Sequence, residues 1–327
     1  CGDKEHGEDR ISALFAVNAG KKIGLGFNLD YLYGRGYYQS QNTAHFRADI
    51  YGSYIGERYK SHLSYRLQYM KTTENGGLED DRYITEPEAF ANNYETWEMP
   101  TNLSKTWNKI NVNSLFFTQR FNVGKVNVVN DSTSGDSLKP ETLSPTIGIP
   151  PLTVSHSMQI DHDDRLFLSN ITTNNLSPLY FRDYYFAGDS ASDKTKHFAI
   201  RNTVAIELNE KWKKWLKAGA RLYVSHKHER FTLPNSPTSF DSYRYNYFNI
   251  GAELMHRKGK MLDYNLLGEL RTRDGKQWGE FKLLAKGGLR KKLFNDTCLV
   301  NVYAQLSSEE PNFYFRHYQG RNAWWDN

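Results

Sequence analysis

The chain has 327 residues, a formal net charge of +5 and a mean hydropathy of −0.72. No run of about 18 apolar residues occurs, so transmembrane helices are excluded. Lysines and arginines are interspersed with acids rather than gathered into a stripe, which argues against a nucleic-acid surface. The two cysteines, Cys1 and Cys298, provide neither a disulfide framework nor a metal-binding spacing.

Strand-like alternation begins near the start of the chain. From Ile23 to Tyr33 large apolar or aromatic residues occupy nearly every second position. The same period continues over Ala44–Tyr54 and Leu63–Tyr69. Similar segments cover 115–123, 152–160, 198–208, 216–224, 246–254, 262–270, 281–289 and 298–306. Strands of about ten residues with two different faces are typical of outer-membrane barrels, where one face meets lipid and the other a lumen.

The connections between these segments indicate a meander. Short turns rich in Gly, Asn and Lys are Ala19–Lys22, Gly56–Tyr59, Asn209–Lys213, Lys258–Lys260 and Phe294–Asp296. They alternate with longer polar loops, of which 73–112 and 161–195 are the largest. Segment 124–150 is long where a short turn is expected, and the alternation is weak within 161–170 and 312–320.

These patterns predict a single all-β domain over 1–327, an antiparallel up-and-down transmembrane β-barrel with about twelve visible strands. Only a closed barrel pairs every backbone N–H and C=O of a strand in hydrocarbon. No segment has helical periodicity of useful length, which disfavours a βαβ enzyme.

The polar positions of the strands are the candidates for lumen-facing side chains. Because basic residues outnumber acids among them, they indicate a weak anion preference. The alternative is that these groups pair with one another and only stiffen the lumen. The candidates are Asp30, Arg47, Asp49, Arg66, Gln68, Arg120, Arg201, Arg221, Asn249, Glu253, Glu269, Lys282 and Lys286.

Aromatic residues make up 14% of the chain, which suits a protein with rings at two membrane interfaces. Those at strand ends are interpreted as interface girdles: Tyr31, Tyr33, Tyr37, Tyr38, Trp212 and Trp215. Those in the long loops are candidates for contact with a ligand, including a sugar, or with a partner. The loop candidates are Tyr83, Trp97, Trp107, Tyr180, Tyr184 and Tyr185.

Metal and catalytic sites have weaker support. His226 and His228 could bind a metal but lack a third ligand in register. The acidic runs 161–164 and 79–81 could bind calcium, but neither has the pattern of an EF-hand loop. The sequence predicts no cofactor, no metal and no catalytic residue, although a barrel hydrolase with a Ser–His pair stays an alternative. Cys1 fits a processed lipoprotein terminus or an arbitrary chain start.

Several motifs resemble a known family. They are DYLYGRGYY at 30–38 followed by Gln39–Gln41, ENGGLEDDRYIT at 74–85, PTNL at 100–103, YFRHY at 314–318 and WWDN at 324–327. They are similar to the putative porin family of Bacteroidota outer membranes, over most of the chain. The resemblance implies an outer-membrane β-barrel without catalytic residues. Because members of the family are longer at both ends, it also implies that this chain is an internal fragment and that Cys1 is incidental.

The expected function is porin-like passage of small hydrophilic solutes, passive or weakly selective, in the outer membrane of a Gram-negative bacterium. Loop 73–112 is the expected constriction or lid. The expected partners are outer-membrane lipid, a second copy of the chain, or another outer-membrane protein. The main alternative is a structural barrel whose lumen is plugged and whose long loops recruit a partner complex.

Overall fold

The computed structural model describes residues 7–92, 94–124, 127–128, 148–170, 184–187, 191–210, 212, 218–257, 261–274, 279–293 and 296–327. The helices are α1 (Arg82–Thr85) and α2 (Phe313–Arg316), with a short 3₁₀ helix at Pro87–Ala89. The strands are β1 (Glu8–Ala19), β2 (Ile23–Arg35), β3 (Asn42–Ile55), β4 (Tyr59–Thr73), β5 (Thr106–Val123), β6 (Asn127–Val128), β7 (Gly148–Ile149), β8 (Leu152–Ser169), β9 (Ala191–Leu208), β10 (Gly219–Pro234), β11 (Phe240–His256), β12 (Leu262–Arg273), β13 (Glu280–Leu293), β14 (Asp296–Ser308), β15 (His317–Gln319) and β16 (Trp324–Asp326).

Twelve of these strands form one antiparallel sheet in which every strand pairs with its neighbours along the chain, β1-β2-β3-β4-β5-β8-β9-β10-β11-β12-β13-β14. The all-β class and the up-and-down topology are therefore confirmed. Within the described residues β1 and β14 pair with one neighbour each, so the sheet is open between them. The remaining strands form two small ladders, β6 with β7 and β15 with β16.

Helices contribute little to this fold. Both α-helices span four residues. None of the helices in the described ranges has the length and apolar character needed to cross a membrane.

The sheet has two chemically distinct faces because residues directly opposite each other on paired strands point to the same side. On one side, here called the apolar face, Leu222 is 65% exposed and Val302 63% exposed. On the other, the polar face, the carboxylate side chains of Asp49 and Glu253 are each 12% exposed. Exposed aliphatic groups and shielded charges are the reverse of the distribution in a water-soluble protein.

The bounds of the two longest predicted loops were wrong. The loop between β4 and β5 covers 74–105 rather than 73–112, because β5 already begins at Thr106. The loop between β8 and β9 covers 170–190 rather than 161–195. Residues 161–169 are charged enough to resemble a loop, but they form a two-faced strand in which Asp161, Asp163 and Arg165 lie on the polar face and Asp164 on the other.

The short turns and most of the long loops lie at opposite rims of the sheet, as the meander predicts. The turns after β1, β3 and β13 are short, and they share a rim with the connection 124–151, which is long as predicted. The opposite rim carries loops 74–105 and 170–190, together with the residues that follow β14.

Two glycines on the polar face make room for tyrosine rings on the neighbouring strands. A Cβ at Gly251 would lie 2.2 Å from Cζ of Tyr223, and one at Gly26 would lie 2.5 Å from Cζ of Tyr51. The Tyr223 ring crosses Gly251 and donates its hydroxyl to Glu269 on the next strand. Glycine within these strands therefore serves close packing, as expected.

The two-face assignment predicts different costs for a lysine at adjacent positions of β14. Val302→Lys places a charge on the apolar face and should cost about 2–4 kcal/mol of unfolding free energy near the bilayer midplane. Asn301→Lys, one residue away on the polar face, should cost less than about 1 kcal/mol. Denaturant titration of both variants in lipid vesicles measures the difference, and equal costs would contradict the assignment.

Candidate functional site

All the predicted lumen-facing residues lie on the polar face. The registers of β2 through β5 place Asp30 opposite Arg47 and Arg47 opposite Gln68. Those of β9 through β13 place Arg221 opposite Glu253 and Glu269 opposite Lys282. The shared face is therefore a property of the whole sheet and not of isolated strands.

Many of these groups neutralise one another. The carboxylate of Asp49 accepts from Nε of Arg47 at 2.6 Å and from Nε of Arg66 at 2.7 Å. Asp30 accepts from Nε of Arg10 on β1 at 3.1 Å. These pairs join β1 to β2 and β3 to β4 on the polar face.

A second network crosses β10 to β13. Arg221 lies 3.8 Å from Glu253, and Arg271 lies 3.5 Å from Glu269 and 3.3 Å from Glu280. Asn249 donates to Glu269 at 2.9 Å. Many of the predicted lumen-facing charges therefore pair with one another, as the alternative interpretation proposed.

Five predicted residues lie outside these networks. Within the described residues Arg120, Arg201 and Lys282 have no ion-pair partner, and the ammonium of Lys286 lies 5.6 Å from the ring centroid of Tyr303. Gln68 contacts only the sulfur of Met70, at 3.4 Å.

Two acids of the polar face were missed as lumen-facing residues: Asp163 of β8, whose segment resembled a loop, and Glu229 of β10. Asp163 and Glu229 flank His197, with Nδ1 3.2 Å from Asp163 and Nε2 3.3 Å from Glu229. The His197 ring also stacks on Phe231 with centroids 4.6 Å apart. With these acids included, basic residues no longer dominate the polar face.

The residues after β14 fold back onto this face. We refer to residues 309–327, which contain α2, β15 and β16, as the inward segment. The Phe313 ring stacks on Phe231 of β10 with centroids 4.2 Å apart. The alternation in 312–320 is weak because these residues form α2 and β15 rather than a sheet strand.

Polar contacts hold the inward segment at several strands. The backbone N–H of Arg321 donates to both carboxylate oxygens of Asp193 on β9, each at 3.0 Å. On β11, Tyr243 lies 2.9 Å from Nε2 of His317 and accepts from Gln319 at 3.0 Å. Further contacts reach β8 and β12: Arg165 with Tyr318 and Arg273 with Glu310.

An apolar cluster underlies these contacts. Phe231, Leu233, Phe313 and Tyr318 are buried together, with Tyr243, Tyr245 and Tyr314 packed around them. The sequence carried a signal for this cluster, because aromatic residues occupy polar-face positions 231, 243 and 245 of β10 and β11. Large rings at lumen positions require a covering element, and the inward segment supplies it.

The inward segment leaves a cavity on each side. The larger, of about 630 Å³, lies toward β8 and β9 and includes Asp163, Asp193, Tyr314 and Trp325 in its lining. The smaller, of about 260 Å³, lies toward β10 to β13. Its charged lining groups are Arg201, Lys227, Glu229, Arg271, Glu280, Glu309, Glu310 and Arg316.

The expectation that loop 73–112 approaches the lumen is not matched by the contacts of the described residues. Loop 74–105 is held by its own groups, since the amide of Asn102 donates to the carbonyls of Gly76 and Leu78 at 3.1 and 2.8 Å. It also contacts the β2–β3 turn, where Gln39 donates to the Glu98 carbonyl. The segment that covers the polar face is 309–327.

The predicted loop aromatics have separate environments. Tyr83 stacks on Phe90 with centroids 4.2 Å apart, and Trp97 is 44% exposed. The guanidinium of Arg321 lies 4.7 Å from the centroid of the Tyr184 ring, which links loop 170–190 to the inward segment. Trp107 is not a loop residue, because it belongs to β5. Tyr180, Trp215 and Cys1 lie outside the described residues.

The geometry of the described residues does not support a metal site at His226 and His228 or at 161–164. His226 and His228 lie on the apolar face, one stacked on Phe248 and the other bonded to Asn246 at 2.9 Å. Asp164 points away from Asp161 and Asp163, since alternate strand residues face opposite sides. The described part of the chain has no group of three or more His, Cys, Asp or Glu side chains arranged to hold a metal ion.

In the other acidic run, 79–81, Asp80 is already ion-paired. Arg82 donates to both carboxylate oxygens of Asp80, at 3.1 and 2.9 Å from Nε. This guanidinium lowers the pKa of the Asp80 carboxyl below its ordinary value. An ion pair of this kind competes with calcium for the same oxygens.

Comparison with solved structures gave a match to an import receptor. The ferric-catecholate import receptor Fiu from E. coli K12, in its open form, matches with a TM-score of 0.48 and 8% sequence identity. The match covers 94% of this chain and 51% of the receptor, so the chain spans about half the length of that protein. A comparison with curated proteins gave no match.

Comparison with protein families covers the whole chain. The family described as "Putative porin" matches residues 1–327. The chain belongs to this putative porin family, as its motifs predicted.

Proposed function

We propose that this chain forms a porin-like channel in an outer membrane, with passive or weakly selective passage of small hydrophilic solutes along its polar face. The proposal rests on one observation above all. Exposed aliphatic side chains cover one face of the sheet while paired charges are shielded on the other. Membership of the porin family supports the same role.

We further propose that the inward segment narrows this channel. Its contacts run from Arg165 on β8 to Arg273 on β12, so it extends over five strands of the polar face. A solute that follows the polar face at this rim must pass the two cavities beside the segment. The rim that carries loops 74–105 and 170–190 would face the cell exterior, as longer loops do in outer-membrane barrels.

Selectivity would come from the charges that lack partners. The acids Asp49, Glu253 and Glu269 are already paired with arginines. Arg120 and Arg201 have no ion-pair partner among the described residues, and so contribute an uncompensated positive field. We therefore expect a weak anion preference.

A second candidate function is a structural barrel that recruits a partner. It is favoured by the exposed aromatic side chains of loop 74–105 and of the β2–β3 turn, with Tyr37 65% and Trp97 44% exposed. In that case the inward segment would be a permanent plug and not a constriction.

Solute flux separates the two candidates. Proteoliposomes should swell in arabinose and glucose and more slowly in raffinose, because a pore with a narrow section sieves by size. Liposomes that contain heat-denatured protein provide the baseline. Swelling at that baseline for every sugar, with a protein partner that co-purifies, would favour the structural barrel.

Release of the inward segment should widen the pore. The double variant Phe313→Ala/Asp193→Asn removes the stack on Phe231 and weakens the contact with the Arg321 amide. Single-channel conductance in planar bilayers should rise by about twofold, because the narrowest section limits current.

A matched control tests the other loop. Phe90→Ala breaks the aromatic cluster of loop 74–105 and should leave conductance unchanged. A rise in Phe90→Ala without one in the double variant would instead assign the constriction to loop 74–105.

Ion selectivity tests the role of the free cations. The reversal potential in a potassium chloride gradient should show anion preference and move toward zero in Arg120→Gln/Arg201→Gln, which removes two unpaired positive charges. Arg82→Gln, in a loop and paired with Asp80, should cause no shift. Cation selectivity of the unaltered protein would refute the expected preference.

A further inference from the structure

The larger cavity beside the inward segment has the composition of a ligand site. Its volume of about 630 Å³ falls within the usual range for small-molecule pockets. Strands β8 and β9 form one wall and the inward segment forms the other. A site that combines a rigid sheet with a folded segment is well ordered for recognition.

One part of the lining is apolar and aromatic. Tyr314, Tyr318 and Trp325 come from the inward segment, while Ile110 and Phe167 come from the sheet. The rings of Tyr318 and Trp325 stack with centroids 4.6 Å apart and planes 19° apart. Trp325 is 37% exposed, so part of its ring is available to a ligand. Flat aromatic surfaces suit the C–H face of a pyranose ring.

The polar part of the lining offers hydrogen-bond donors and acceptors from side chains of both charges. Asp163 is paired with His197 at 3.2 Å, and both oxygens of Asp193 accept from the Arg321 amide. Arg165 donates from Nε to the side chain of Asn108 at 2.8 Å. These carboxylate, guanidinium and imidazole groups supply both acceptors and donors, which the hydroxyl groups of a ligand need.

One acceptor in the cavity is unused. Oδ1 of Asp163 is buried and has no hydrogen-bond partner among the described residues, although Oδ2 of the same group pairs with His197. A buried acceptor without a donor is costly, and a ligand hydroxyl would satisfy it. Burial also raises the pKa of the Tyr314 and Tyr318 phenols above its ordinary value.

We infer that this cavity is a binding site for a neutral sugar of one or two rings, with aromatic contacts from Trp325, Tyr314 and Tyr318 and a hydrogen bond to Asp163. The inference deepens the proposed channel and rests on it for the route by which the sugar arrives. A channel with such a site would show saturable passage of the sugar it binds.

Binding is measured on the purified full chain in detergent, which does not require conduction. Saturation-transfer NMR titrations use glucose, galactose, maltose and sucrose, and ³¹P line broadening follows sodium phosphate as an anionic probe. At least one sugar should give a saturable signal and phosphate should give none. Trp325→Leu and Asp163→Asn should each weaken the affinity by about tenfold, since the first removes an aromatic face and the second replaces a charged acceptor with a weaker neutral one.

Two variants serve as matched controls. Asp161→Asn lies on the same strand and face as Asp163 but outside the cavity lining, where it accepts from Ser114 and Gln159. Trp97→Leu removes a tryptophan from loop 74–105. Both should bind the sugar as the unaltered protein does, and heat-modifiable migration on a gel confirms that all four variants are folded.

The outcomes separate the site from the channel. No saturable signal for any of the four sugars, or a signal that Trp325→Leu and Asp163→Asn leave intact, overturns the site. Saturable phosphate binding overturns the ligand class. Swelling of proteoliposomes without sugar saturation rejects the site and leaves the channel, whereas sugar saturation without swelling supports the site and rejects the channel.

Discussion

The pairing of backbone groups across one continuous antiparallel ladder is the constraint on which the rest of this molecule depends. Each of the twelve strands pairs with its sequence neighbours, so the strands between β1 and β14 pair their N–H and C=O groups on both sides, and the side chains divide between two faces. Exposed aliphatic side chains such as Leu222 carry no hydration penalty when lipid, rather than water, surrounds them. Charges such as Asp49 and Glu253 are concentrated on the other face, where they pair with arginines.

The inward segment turns part of the polar face into a site with two cavities. Phe313 stacks on Phe231, and the Arg321 amide binds Asp193, so the segment combines apolar burial with polar anchoring. Its presence explains why β10 and β11 carry aromatic residues at positions that elsewhere on this face carry charges. It also creates two cavities of different chemistry, one charged and one rich in aromatic groups.

The face on which a strand residue lies can be predicted from the sequence, whereas contacts between residues far apart in the sequence cannot. The period of two places Arg47, Arg221 and Glu269 on one face because side-chain direction in a strand depends only on position along it. Loop bounds failed at Asp161 and Asp163, where a charged strand resembles a loop when its partner is unknown. The contact of Asp163 with His197 joins residues 34 positions apart, and no local pattern specifies it.

The amino-acid order alone was sufficient for the strand count, the meander, the two faces and the family, because each follows from short-range periodicity or from contiguous motifs. Tertiary structure decided which charges on the polar face cancel and which segment covers it. Residues 309–327 reach β8 to β12 only because the sheet brings five strands within range of one short segment. That arrangement depends on the strand registers across the whole sheet, which the amino-acid sequence alone does not reveal.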